Sequence, residues 1–381
     1  MRRALAVFLA CLAFASAVAR AADLLNVTPP PVAARAFLLV DAMSGKALAS
    51  AGADERMEPG SLTKLMTECV VLDAIRAGTL ALDRSVNVSA AAAAAPGGRM
   101  FLSPGQSAAV ADLLKGLVVL TANDAALALA EAVATTEAAF VERMNTRAER
   151  LGLKGTHFAN ATGEPAPGHH TTARDLAAIA SVLLNEYPEH YALHAQRELT
   201  WNGIKQSSRN RLLWTDASVD GMQTGFTESG AYGLVSSAKR GERRLLAVVL
   251  GAQSDTLRMS ETQKLLNFGF QAWETRRLYK RGQSVATPPV YKGTSDTVSL
   301  GFDRDVWLTL PRERFGGLRA ALETRQPFVA PLAAGQKAGI MKLMRESTPV
   351  AEFPVVALEE IPVAGFLSRG WDTLKLLFLS P

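Results

Sequence analysis

The feature that most constrains this chain is a change of hydrophobic period near Arg276. Upstream, apolar residues recur at helical spacing, as in Leu65, Met66, Cys69, Val70, Leu72 and Ala74, with strand-like runs between the helices. Downstream to Val363, short alternating segments such as Thr297 to Leu300 and Val306 to Leu310 are separated by Gly and Pro. A single core stops growing near about 250–300 residues, so 381 residues with such a break specify two globular units. The first is expected to be α+β, an antiparallel sheet with helices packed on it, and the second a small all-β domain.

Composition narrows the class. With 48% hydrophobic and 20% charged residues, the chain is neither a disordered tail nor a collagen. No interior run of about 18 apolar residues marks a polytopic membrane protein. The net charge is +5, but Arg2, Arg3 and Arg20 all lie in an N-terminal stretch that reads as removable. Without them about +2 remains, too little to indicate a nucleic-acid partner. That stretch has a basic start, an apolar core from Ala4 to Ala17 and small residues through Ala19-Arg20-Ala21. Residues 1–21 are therefore expected to be a signal peptide and the mature chain to be exported. Cys11 would leave with it, so Cys69 remains as a small apolar residue on a buried helix face, with no internal disulfide.

Along the chain, Ala34 to Ala51 reads as a hairpin around Asp41-Ala42-Met43-Ser44-Gly45. Pro59-Gly60-Ser61 then breaks the chain before a helix over Leu62 to Ile75, with Ser61 as N-cap or first-turn residue. Further helices are expected over Asp112 to Val119, Asp124 to Arg150 (one or two) and Thr171 to Asn185. Three strands follow, Met222 to Phe226, Tyr232 to Ala238 and Leu245 to Gly251.

Ser61-Leu62-Thr63-Lys64 places a hydroxyl and an amine three residues apart on one helix face. A serine becomes a nucleophile when a neighbouring base removes its proton, and a lysine serves once burial or nearby positive charge leaves it neutral. Taken alone, this spacing recurs on many exposed helices. Two further elements add to it. Thr121-Ala122-Asn123 offers a hydroxyl and an amide after an apolar helix. Gln223-Thr224-Gly225 lies on a candidate edge strand, where extended backbone can pair with a peptide. Gly225 permits close backbone approach, and the N–H of Phe226 can join that of Ser61 as an oxyanion hole. His169 and His170 with Asp175 lack a correctly spaced third ligand, so no metal and no cofactor is expected.

These residues resemble the D-alanyl-D-alanine carboxypeptidases among the low-molecular-mass penicillin-binding proteins, serine peptidases of the SxxK acyltransferase group. The resemblance includes Gly60 through Thr67, Asn123 through Glu131, His157 through Gly163, Pro167 through Asp175, Leu212-Leu213-Trp214, Val219-Asp220-Gly221 and Gly225-Phe226-Thr227-Glu228. Order and spacing match from about Ala34 to Thr275. The resemblance implies a beta-lactamase/transpeptidase-like domain over residues 22–275, a β-rich domain over 276–363 and an amphipathic membrane anchor over 364–381. It implies that the enzyme removes the terminal D-alanine from peptidoglycan pentapeptide stems and that beta-lactams acylate the same serine. Ser61 would be the nucleophile and Lys64 its base. Asn123 would bind the substrate amide, Thr224 its terminal carboxylate, and Ser61 and Phe226 the oxyanion. The partners implied are peptidoglycan stem peptides, beta-lactams and the surface of the inner membrane, with a peripheral location on its periplasmic face.

Two departures from the family matter. Thr121 stands where the second motif usually begins with Ser, and Gln223 stands where the third motif has lysine. Losing that cation replaces a charge-assisted hydrogen bond by a neutral one, worth on the order of 1–2 kcal/mol, and lets Lys64 hold its proton more firmly. Arg258 matches an arginine that the family carries near the third motif. It either grips the carboxylate in compensation or pairs with Glu261 on a helix surface. The competing readings are a D,D-endopeptidase using the same serine and a weakened peptidoglycan-binding paralogue. A beta-lactamase is disfavoured by the lack of a Glu-x-x-x-Asn element before Thr171. The final segment, Phe366 to Leu379, interleaves apolar and aromatic residues with Arg369 and Lys375. It is too short to span a bilayer but suited to its interface.

Overall fold

The computed structural model describes residues 27–379, so the expected signal peptide lies outside the described residues. Two compact units divide the chain, Pro29–Gln271 and the portion from Ala272 onward. The first is built on a five-stranded antiparallel sheet. Its strands are β1 (Ala36–Asp41), β2 (Ala47–Ala51), β3 (Val219–Thr227), β4 (Ala231–Arg240) and β5 (Arg243–Ala252), in the order β2-β1-β5-β4-β3. The N-terminal hairpin thus joins the later meander through β1 and β5, with Leu38 opposite Val248 and Leu39 opposite Ala247. Strand β3 is left at the edge.

Both faces of this sheet are covered. Leu38, Leu246, Val248 and Leu250 belong to the main core, with residues of α1 (Lys64–Arg76), α2 (Val110–Leu120), α3 (Asn123–Ala134), α4 (Glu137–Arg150) and α5 (Ala173–Glu186). Helix α6 (Asp255–Ala272) covers the opposite face. It comes so close that a Cβ on Gly269 would lie 2.7 Å from Leu245 Cδ1 and 2.8 Å from Leu39 Cδ2. This explains why Leu245 to Leu250 reads as a continuous apolar run, since a strand buried on both faces does not alternate.

Local chemistry sets the helix boundaries. The stretch Asp124 to Arg150 is two helices because Thr136 starts the second, its hydroxyl accepting the Ala139 N–H at 3.2 Å. Thr172 does the same for α5 through the Asp175 N–H at 3.0 Å, so that helix begins at Ala173 rather than Thr171. Loop 157–170 crosses the start of α1 and is fastened there. Thr67 donates to the Ala161 carbonyl at 2.7 Å, and the Thr63 hydroxyl meets His169 Nε2 at 2.9 Å. His169 is thus a buried strut, its pKa lowered to about 4 chiefly by burial.

The second unit is all-β. Trp273–Tyr279 pairs with Val306–Pro311, and a second sheet runs Ser284–Ala286, Leu300–Gly301, Thr348–Ala357, Lys337–Arg345 and Leu318–Thr324 in spatial order. Its core includes Val298, Leu300, Phe302, Met341 and Val355. The chain continues into α7 (Phe366–Leu379), where the Asp372 carboxylate accepts the Lys292 N–H at 2.6 Å. Among the described residues no helix is long and apolar enough to cross a membrane.

One buried carboxylate anchors a wall of the cleft described below. Asp124 is fully buried and accepts the backbone N–H groups of Met100 at 3.1 Å, Leu102 at 3.0 Å and Ala125 at 2.9 Å. Replacing it with Ala leaves buried donors unsatisfied, so Asp124→Ala is expected to lose about 2–4 kcal/mol of stability. Denaturant unfolding measures this; a loss under about 0.5 kcal/mol would be that of an ordinary surface site.

Candidate active site

The chain enters the site through a 3-10 turn, Gly60–Thr63, and only then becomes α1. Of the two places the sequence allows Ser61, N-cap or first turn, it takes the first turn, and neither Pro59 nor Thr63 makes a side-chain cap bond. With three residues per turn, positions i and i+3 stack directly over one another. Lys64 Nζ accordingly lies 3.1 Å from Ser61 Oγ. The amine is 1% exposed and donates a second hydrogen bond to the Thr162 carbonyl at 2.6 Å.

Burial without a paired carboxylate penalises the ammonium, and the Lys64 pKa falls to about 7. Glu164 and Asp124 oppose the fall, while the Arg209 guanidinium assists it. The loss of the motif-three lysine thus does not leave Lys64 firmly protonated, because desolvation is the largest influence. At neutral pH a large fraction of the amine has a free lone pair facing the Ser61 hydroxyl, so the pair can act as nucleophile and base.

Three backbones converge here, and glycines allow it. Gly60 has φ +53°, and a Cβ there would lie 2.8 Å from Phe226 O and 2.9 Å from Phe226 N. A Cβ on Gly225 would lie 2.6 Å from the Pro59 carbonyl, and one on Gly163 would overlap the Gly60 carbonyl at 1.9 Å. The Ser61 turn, edge strand β3 and the 157–170 loop are consequently in direct backbone contact. Asn160 shapes that loop, its Oδ1 accepting the N–H of Gly163 at 2.7 Å and of Thr162 at 3.2 Å.

The junction of α2 and α3 supplies the other wall. Thr121 ends α2 in the left-handed region, φ +56°, an unfavourable place for a β-branched residue. Asn123 is 2% exposed; its Nδ2 donates to the Pro96 carbonyl at 2.6 Å and to Glu164 Oε1 at 2.8 Å. Both neighbours are acceptors, which fixes the amide orientation. Asn123 Oδ1 is left buried with no partner.

Ser61, Thr121, Asn123, Thr224, Gly225, Phe226 and Arg258 line one cleft of about 690 Å³, with Lys64 beneath its floor. Gln223 does not join them. It is 2% exposed, and its Nε2 reaches only the Leu117 carbonyl in α2, a long contact of 3.4 Å. Arg258 is neither a surface residue nor paired with Glu261, which takes Lys264 instead at 2.6 Å. Its guanidinium is buried, donates to the carbonyls of Gly225 at 2.8 Å and Gly233 at 3.2 Å, and pairs with Asp255 at 2.6 Å.

Comparisons with known proteins identify the family. The family model for D-alanyl-D-alanine carboxypeptidase matches residues 24–254, more than half of the chain. The chain belongs to the D-alanyl-D-alanine carboxypeptidase family. The model for the penicillin-binding protein 5 C-terminal domain matches residues 273–363. The Escherichia coli D-alanyl-D-alanine carboxypeptidase DacC is 40% identical over 361 residues, covering 93% of this chain and 90% of its own. Penicillin binding protein 5 from Haemophilus influenzae gives a TM-score of 0.85 at 34% identity, covering 88% of this chain and 100% of that one. Penicillin-binding protein D2 from Listeria monocytogenes in its cefotaxime-bound form gives 0.59 at 30% identity, covering 64% of this chain and 100% of its own.

Three participants escaped the sequence reading of this carboxypeptidase. Thr162, whose carbonyl is used, lies within the His157 to Gly163 stretch, Glu164 immediately follows it, and Arg209 shortly precedes Leu212-Leu213-Trp214. Proximity to those stretches was the available signal, but nothing in residue type announced which groups turn inward. The glycine contact gives a direct test. Gly60→Ala forces the Ser61 turn away from Phe226, and misplacement by about 1 Å costs on the order of a hundredfold in rate. The second-order rate of acylation by labelled penicillin should fall accordingly; an unchanged rate in a folded variant would show that the spacing is not demanding.

Proposed function

We propose that this carboxypeptidase-family chain removes the C-terminal D-alanine from peptidoglycan pentapeptide stems through a Ser61 acyl-enzyme, and that beta-lactams acylate the same residue. The observation that carries this reading is the 3.1 Å contact between Ser61 Oγ and a buried amine whose pKa lies at about 7. Ser61 Oγ attacks the carbonyl of the penultimate D-alanine while its proton passes to Lys64 Nζ. The oxyanion forms against the N–H groups of Ser61 and Phe226, held together by the Gly60 contact. Collapse breaks the peptide bond, the departing D-alanine nitrogen takes the proton from Lys64, and water later hydrolyses the ester. Asn123 lines the cleft wall and, once its buried Oδ1 is uncovered, receives the substrate amide N–H. Thr121 presents its hydroxyl to the cleft, Thr224 stands ready for the terminal carboxylate, and the outer side of β3 offers extended backbone to the stem peptide.

The same reading places the mature enzyme outside the cytoplasm, peripheral to a membrane surface. Helix α7 supports this placement. At about 100° per residue, Phe366, Leu367, Trp371, Leu374 and Leu377 fall within an arc of about 140°. Their side chains are exposed, Phe366 and Leu367 to 87%, while Ser368, Arg369, Asp372 and Lys375 lie outside that arc. An uncovered apolar face with a polar back suits the bilayer interface.

Two measurements test these proposals. Labelled penicillin should form a covalent adduct on the wild type and none on Ser61→Ala. Because the reactive form is neutral Lys64, the acylation rate should rise with pH through about 7 and fall about tenfold per unit well below it. A folded wild type without adduct, or a rate flat from pH 5 to 8, counts against the mechanism. For the helix, sedimentation with vesicles containing anionic lipid should retain the wild type and release the double variant Trp371→Glu, Leu374→Glu. Equal retention removes α7 as the anchor.

A further inference from the structure

Turnover through an acyl-enzyme asks for two proton abstractions, one from the serine hydroxyl and one from the water that later attacks the ester. Lys64 performs the first. It lies against Ser61 Oγ and the Thr162 carbonyl and is not among the groups that line the cleft, from which water reaches the ester. That lining offers three carboxylates, Glu58, Glu164 and Glu228. Glu58 accepts the Ser229 hydroxyl, and Glu228 lies in the exposed turn between β3 and β4. Glu164 stands apart. It is half-buried and follows Gly163, where a Cβ would lie 2.9 Å from the Ser61 nitrogen, so its backbone adjoins the serine turn. Its carbonyl accepts Asn160 Nδ2 at 2.8 Å and its Oε1 accepts Asn123 Nδ2 at 2.8 Å, which fixes the residue at both ends. A Cβ on Gly97 would lie 2.8 Å from that Asn123 nitrogen and 3.1 Å from Glu164 Oε1, so a glycine is what leaves the pair uncovered. Among the described residues Glu164 Oε2 has no hydrogen-bond or ionic partner.

We infer that Glu164 is the base that activates the deacylating water. Its carboxylate takes a proton from the water as the water oxygen bonds to the ester carbon. The tetrahedral intermediate then breaks its bond to Ser61 Oγ. Lys64 Nζ, 3.1 Å from that oxygen, delivers a proton to it and receives the one held by Glu164 through water in the cleft. The amine ends neutral and the carboxylate ionised, as both began. Of the surrounding charges Glu164 acts most strongly on Lys64, in keeping with such a relay. Gly168 stands four residues after Glu164, so the Glu-x-x-x-Asn pattern is absent from the sequence, and the asparagine that steadies the carboxylate is Asn123 instead. This inference rests on the carboxypeptidase reading and names the base of its second step, which acts equally on an ester left by a beta-lactam.

The test follows labelled penicillin through formation and loss of its adduct on wild type and Glu164→Gln. Glutamine keeps an oxygen for Asn123 Nδ2 but cannot take the proton of a water. Because a positioned general base contributes about 10²–10⁴ in rate, the lifetime of the adduct should lengthen at least about a hundredfold. Acylation should not slow, since removing the Glu164 charge favours the neutral amine further. Hydroxylamine, a nucleophile that needs no base, should strip the adduct from the variant and the wild type at similar rates. On a pentapeptide ending in D-Ala-D-Ala the variant should release a burst of D-alanine equal in amount to the enzyme and then turn over slowly. Equal adduct lifetimes in the two proteins, or acylation and deacylation falling together, overturn the inference while the adduct itself leaves the enzyme reading intact. A folded wild type that forms no adduct and releases no D-alanine overturns the enzyme reading and the inference with it.

Discussion

The arrangement depends on one constraint, an amine held almost entirely out of water and, among the described residues, paired with no carboxylate. A charged ammonium in that position is unfavourable, so folding lowers the Lys64 pKa to about 7. The two acceptors in reach are the Ser61 hydroxyl and the Thr162 carbonyl. Everything around the pair serves to keep water away and to hold those acceptors in place. The 157–170 loop is tied down through Thr67 and Thr63, and its turn is shaped by Asn160. Glycines at 60, 163 and 225 let the loop, the serine turn and the edge strand meet without intervening side chains.

Charge in the cleft then acts on the Lys64 amine. Glu164 and Asp124 favour the protonated amine, and Arg209, in the same cleft lining, disfavours it. In the family pattern a lysine in the third motif would add to that opposition. Here burial provides most of the pKa shift, and Arg209 adds to it. Arg258 secures the strand carbonyls, while Arg209 remains free in solvent.

Much of this was legible in the sequence. The hairpin, the helix after Ser61, the apolar helix before Thr121 and the three-strand meander all emerge from periodicity and turn chemistry. The change of period near Arg276 lies close to the division of units at Ala272. Serine and lysine spacing marked the pair that the 3-10 turn brings to 3.1 Å. Less legible was anything decided by tertiary approach. The apolar residues of helix α6 do not form a clean stripe, so periodicity does not mark it; the one sign of its cover is the continuous apolar run Leu245 to Leu250. Gln223 and Thr224 are adjacent in sequence, and only the strand's pleat separates the one facing α2 from the one facing the cleft. Arg258 reads as a carboxylate grip or a surface partner of Glu261; its ion pair is instead with Asp255, one turn back, and its two carbonyl partners on β3 and β4 leave no trace in residue type.

The junction of α2 and α3 shows what the site gives up to remain open. Thr121 sits in a left-handed conformation that a β-branched residue disfavours, and backbone strain of this kind costs on the order of 1–3 kcal/mol. Two residues on, Asn123 spends both amide hydrogens on fixed acceptors and keeps a buried oxygen with none of its own donors in reach. An unsatisfied buried acceptor costs about 1–3 kcal/mol, and no rotation of the amide relieves it, because turning would set oxygen against the Pro96 carbonyl and the Glu164 carboxylate. Rigidity and incompleteness therefore meet at the same residue: the amide is held still by the two bonds it donates, while among the described residues its oxygen accepts none.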